Sequence, residues 1–150
     1  MKNVKITKKY ILMKYDNLEN FKNELYIYLL AKEKNIDYIP KMIDYSCEKL
    51  HIKTENVGVT LEVYCDGCGY TEEYLKKIKI IYDKFIKLGF YHNDLRLKNI
   101  IINPDSKKLY LIDFEGSSSE YKDADDENII KKIKNLSKSK SKSKSKSKSK

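Results

Sequence analysis

No glycine occurs before Gly58 in this 150-residue chain. Glycine is the residue that lets a backbone approach phosphate groups closely, so a glycine-rich phosphate loop is excluded from everything upstream of that position. Arginine is scarcer still, appearing once, at Arg96. Proteins that read nucleic acid use several arginines for forked contacts to phosphates and bases, so a dedicated reader is not expected. No apolar run approaches the roughly 18 residues that cross a bilayer, and no continuous apolar segment follows the first lysines, so no membrane contact is expected. Cysteine numbers three, an odd count that fits a soluble chain in a reducing compartment, cytoplasmic or otherwise intracellular.

Positive charge is what the chain has in excess. The net charge is +9, but the seven Ser-Lys repeats of residues 137–150 carry +7 of it, leaving +2 for residues 1–136. The part able to fold is nearly neutral. The repeats cannot bury apolar area and are expected to be disordered. Three readings of them stay open: a solvated tail, a weak non-specific contact with polyanions, and a phosphorylation target.

Periodicity predicts a mixed chain. Residues 3–15 alternate loosely, and Tyr10-Ile11-Leu12-Met13-Lys14-Tyr15 reads as a strand. Asp16 and Asn17 suit a helix cap. Leu18, Phe21, Leu25, Tyr28, Leu29 and Lys32 then fall on one helical face, giving a helix to about residue 33. Short strands are predicted at 42–45, 50–52 and 57–64, followed by a turn at Asp66-Gly67-Cys68-Gly69. Thr71 caps a second helix with an apolar stripe of Leu75, Ile78, Ile81, Tyr82, Phe85 and Ile86, and Gly89 suits its C-terminal end. Asp123 to Leu136 reads as a short amphipathic helix with an acidic first turn. Cys47, His51, Cys65 and Cys68 offer four possible zinc ligands, but the halves lie on different predicted strands without a finger-like frame, so free thiols are the default.

The most informative stretch is His92-Asn93-Asp94-Leu95-Arg96-Leu97-Lys98-Asn99, then three isoleucines, the turn Asn103-Pro104-Asp105, a second apolar run and Asp113-Phe114-Glu115. A hairpin of this kind brings Asp94, Asn99 and Asp113 to one end. Hard oxygen ligands for Mg²⁺ and one carboxylate facing a hydroxyl are what a bound polyphosphate needs.

This string resembles the catalytic loop and metal-binding motif of the protein-kinase-like superfamily, and its spelling is closer to choline, ethanolamine and aminoglycoside kinases than to ordinary protein kinases. The resemblance implies an α+β chain with a reduced, two-lobed kinase-like fold: a truncated N-terminal lobe at 1–64, a minimal C-terminal helical lobe at 65–136, and the tail. It implies ATP and Mg²⁺ as cofactors. Asp94 would be the catalytic base, braced by His92, with Arg96 near the transferring phosphate. Asn99 and Asp113 would hold the metal. Ile11-Leu12-Met13-Lys14 resembles the strand whose lysine grips the nucleotide phosphates, which makes Glu24 the partner of Lys14. Glu62 falls where the hinge between lobes binds adenine. Asn93 replaces the arginine through which phosphorylated loops control protein kinases, so that control is not expected. Asp125 would brace the loop from below. The implied activity is transfer of the γ-phosphate of ATP to a hydroxyl, with a lean to a protein Ser or Thr. A small alcohol as acceptor, or an inactive kinase-like binding module, are the alternatives.

Overall fold

A computed structural model of the chain describes residues 2–65 and 71–120, together with residues 131 and 135. The predicted turn at 66–69, Cys68, Asp125 and the Ser-Lys repeats lie outside the described residues, as does the predicted acidic helix except for Lys131 and Asn135.

The first half is a four-stranded antiparallel sheet with a helix across it. Strands β1 (Lys2–Ile6), β2 (Tyr10–Tyr15), β3 (Met42–Ser46) and β4 (His51–Glu55) lie in the order β1-β2-β4-β3. The register sets Lys2 opposite Tyr15, Val4 opposite Met13 and Ile6 opposite Ile11. Because side chains alternate along a strand, these six share one face of the sheet. The sequence pattern marks only β2 as a strand; β1 is an added partner, closed by a turn in which Thr7 and Tyr10 exchange backbone and hydroxyl bonds of 2.9–3.0 Å.

Helix α1 (Leu18–Glu33) starts where the side chain of Asn17 accepts the amide of Asn20 at 2.8 Å. It buries Phe21, Glu24, Leu25, Ile27, Tyr28 and Ala31. Tyr15 meets Phe21 edge-on at 5.8 Å. The predicted stripe is therefore rotated. Leu18 and Leu29 are exposed, and a glutamate takes a central place among the buried residues.

The second half is organised around a three-stranded sheet of β5 (Val59–Thr60), β6 (Ile100–Ile102) and β7 (Leu109–Leu111), in that order. A continuous strand over 57–64 does not form. Thr60 instead accepts the amide of Val63 through Oγ1 at 3.2 Å, a hydroxyl cap that starts the short helix α2 (Leu61–Cys65). Helix α3 (Glu72–Lys87) is capped by Thr71 and buries Leu75, Ile78, Ile81, Tyr82 and Phe85, as its periodicity predicts. Gly89 follows it with φ +100°. All three isoleucines of β6 are buried, because this central strand is covered on both faces. Gly58 is required at the edge of this sheet, since a Cβ there would stand 2.1 Å from the carbonyl oxygen of Ile102.

Candidate active site

His92 is fully buried, and both of its ring nitrogens are in use. Nε2 lies 2.7 Å from the carbonyl oxygen of Ile112, and Nδ1 accepts the amide of Asp94 at 3.2 Å. Accepting at Nδ1 places the proton on Nε2, which donates to Ile112. Ile112 also donates its own amide to the carbonyl of Asn99 at 3.1 Å. Both backbone groups of the residue before Asp113 are thus tied to the loop that carries Asp94. The loop and the strand end cannot shift separately without breaking buried hydrogen bonds.

Within the loop the polar side chains converge on Asp94. Arg96 donates from Nε to Oδ1 at 2.7 Å, and Asn99 donates from Nδ2 to Oδ2 at 3.0 Å and to the Asp94 carbonyl at 2.8 Å. Partial burial pushes the Asp94 carboxyl up, but the hydrogen bond and charge of Arg96, joined by the Asn99 bond, outweigh it and hold the group below its usual range. Asn93 adopts φ +66°, a left-handed conformation that asparagine tolerates. Its Nδ2 lies within 3.0–3.1 Å of Gly116 O, Ser118 Oγ and Glu120 O, so the segment after Asp113 is fastened back onto the loop.

The structure does not bring Lys14 to Glu24. Met13 and Tyr15 point inward on β2, so alternation turns Lys14 outward, where it is exposed and makes no ion pair with Glu24. Lys2 of β1 supplies the ammonium instead. Its Nζ donates to Glu24 Oε1 at 2.7 Å and to Asp113 Oδ1 at 2.9 Å. Burial pulls the Lys2 pKa down, but the adjacent carboxylates of Glu24 and Asp113 more than reverse this, leaving it raised. Glu24 has no exposed surface. It also accepts the Tyr15 hydroxyl and the Phe114 amide, so the buried charge is fully partnered. The Tyr15 hydroxyl is driven well above its usual pKa, first by burial and then by Glu24.

Asp113 itself has φ +67°. Phe114, the next residue, packs edge-on against Tyr28 at 5.6 Å and against His92 at 5.6 Å, linking α1 to the loop that carries Asp94. Glu115 has a buried Oε2 without a hydrogen-bond partner among the described residues. Its carboxyl is raised by burial and by the charges of Asp113 and Glu24, with Lys2 opposing.

Asp94, Asn99, Arg96, Asp113 and Glu24 therefore lie in one bonded network, which Lys2 and His92 join. Glu62 does not take part: it is exposed on α2. Of the possible zinc ligands, Cys47 is exposed and Cys65 buried, and no group of three or more His, Cys, Asp or Glu is placed to hold a metal among the described residues. Lys2 and Tyr15 were missed in the sequence because their importance depends on strand register. The available signal was that Lys2, Val4 and Ile6 share a face.

The profile of the choline/ethanolamine kinase family matches residues 5–135. An uncharacterised protein of Haemophilus influenzae is 32% identical over 118 residues, covering 73% of this chain and 45% of that protein. A probable serine/threonine-protein kinase of Dictyostelium discoideum, fnkB, is 33% identical over 103 residues, covering 61% of this chain and 19% of its own length. Among solved structures, monomeric WbdD superposes with a TM-score of 0.62 at 16% identity, covering 79% of this chain and 33% of that one. The Cydia pomonella granulovirus kinase PK-1 superposes with a TM-score of 0.59 at 17% identity, covering 75% and 44%. The chain spans less than half the length of each of these proteins. No helix among the described residues is long and apolar enough to cross a membrane.

Proposed function

Because the chain belongs to the choline/ethanolamine kinase family, within the protein-kinase-like superfamily, we propose that it transfers the γ-phosphate of ATP to a hydroxyl group. The observation that carries this reading is the bonded path from Lys2 through Asp113 and Ile112 to His92 and Asp94. It supports the reading by tying Lys2, Asp113 and Asp94, which we take as cation, metal ligand and base, to one another before any substrate arrives. Such preorganisation is where most phosphoryl-transfer catalysis originates.

The donor set fits Mg²⁺. Asp113 offers a carboxylate, and Asn99, whose Nδ2 is committed to Asp94, offers Oδ1. Two protein oxygens are what Mg²⁺ uses when phosphates and water complete its octahedron. When bound, the ion would neutralise charge on the phosphates. Lys2 adds an ammonium to the same phosphates, held by Glu24 in a fixed rotamer. Val4 and Ile6, 50% and 69% exposed, leave apolar surface on the sheet face that carries Lys2, suited to a nucleotide base. Asp94 orients the acceptor hydroxyl and takes its proton, while Arg96 offsets charge on the transferring group. The family points to a small amino alcohol as acceptor and the match to fnkB points to a protein hydroxyl.

Thermal unfolding with Mg·ATP tests the cleft, and radiolabelled transfer onto a mixed pool of peptides and amino alcohols tests the chemistry. At 100 times its dissociation constant, the nucleotide should stabilise the chain by about 2.7 kcal/mol. Asp113→Ala should remove the Mg²⁺ dependence of that shift. Asp94→Asn should keep the shift and lose transfer. Absence of both shift and transfer in the parent chain would refute the reading.

A further inference from the structure

A cavity of about 400 Å³ opens between the C-terminal half of α1, the connection after it and the start of β3. None of Lys2, Asp94, Asn99 or Asp113 lines it. Its apolar wall is built from Tyr28, Ala31 and Met42, and Lys32 and Lys41 stand in its lining. Both lysines are exposed, and neither is in an ion pair among the described residues. The one acid in the lining, Asp37, faces Lys108 at 3.7 Å. This volume lies in the range of small-molecule sites, and an apolar wall rimmed by two lysines that form no side-chain ion pair among the described residues favours anionic over cationic guests.

We propose that this cavity binds a small apolar carboxylate, an aromatic or alkyl acid, and that its occupancy is felt at Asp113. Two contacts lead from the cavity to that residue. Tyr28, on the wall, packs against Phe114, the residue after Asp113. Tyr38, in the connection that frames the cavity, accepts the amide of Leu111 at 2.8 Å, two residues before Asp113. A ligand that shifts Tyr28 or this connection therefore acts on both sides of Asp113. A ligand coupled to the metal-binding carboxylate must in turn bind differently when that carboxylate is engaged.

The test uses the full chain and 3-phenylpropionate as probe, with 3-phenylpropylamine as its cationic counterpart. Binding is read by saturation-transfer NMR, and the connection to the site by the ¹⁹F resonance of 4-fluorophenylalanine placed at position 114. Saturable binding of the acid with a matching ¹⁹F shift, and weaker binding of the amine, are expected. Ala31→Trp should abolish both signals by filling the cavity. The double change Lys32→Met and Lys41→Met, which leaves the wall intact, should weaken the acid by about fivefold to tenfold and remove its preference over the amine. Equal binding of acid and amine, binding unchanged in Ala31→Trp, or a silent ¹⁹F resonance at saturation would each overturn the proposal. None of these readouts requires phosphate transfer, so failure of the kinase reading and failure of this one are separate results.

Discussion

Lys2 is the residue on which two carboxylates from different parts of the chain meet, and its removal leaves both without their cation. Glu24 would keep a buried charge supported only by Tyr15 and the Phe114 amide. Breaking a buried ion pair from one side costs about 3–5 kcal/mol. Lys2→Met is therefore expected to lower the unfolding free energy, read by denaturant titration, by that amount and to abolish the Mg·ATP thermal shift. Lys14→Met, at an exposed position, should change stability by less than about 0.5 kcal/mol and leave the shift in place. Equal effects of the two substitutions would contradict the geometry. Arg96 acts on Asp94 in a way that a pH profile can read. Its hydrogen bond and charge hold the Asp94 carboxyl low, so the carboxylate we assign as the base stays ionised as pH falls through the ordinary carboxylate range. In Arg96→Ala the upward push of burial is less opposed, and the acid limb of kcat/KM should move to higher pH. A limb that stays in place would show that Arg96 does not tune the base.

At the scale of elements, the hairpin of β6 and β7 and the helix α3 were legible in the sequence, because strong local signals agreed there. The three isoleucines, the Asn103-Pro104-Asp105 turn and a helical stripe ending near Gly89 each allow one reading. Elements set by distant contacts were not legible. β1 exposes Val4 and Ile6, so it lacks the buried face that would mark it as a strand. α2 is only 5 residues long and depends on the Thr60 cap. The face of α1 was misread because Glu24 is central to it, and a buried glutamate is foreseeable only once its donors are known. The contact of Asn99 with Asp94 follows from their spacing on one loop, whereas the contacts of Lys2 with Glu24 and Asp113 needed the pairing of β1 with β2. Gly58 gives a prediction at this scale. The Cβ of Gly58→Ala would collide with backbone rather than with a yielding side chain, so β5 must move from β6. A loss of about 1–3 kcal/mol in chemical unfolding is expected; an unchanged midpoint would mean that β5 is not held as described.

For the molecule as a whole, charge and chemistry are separated along the chain. Of the net +9, the Ser-Lys repeats hold +7. Any polyanion contact we assign to them should be non-specific and should weaken steeply with salt, by a log–log slope of about −0.7 per phosphate contacted on a single strand. Fluorescence anisotropy with a labelled oligonucleotide between low and physiological salt checks this. Affinity that ignores salt would exclude the repeats as its source. The site, by contrast, depends on the pairing of β1 with β2. Since Lys2 lies across from Tyr15, an ammonium on β1 and a hydroxyl on β2 close on the same glutamate. Glu24 is the fixed point of that face, and a pattern confined to one strand records only half of its donors.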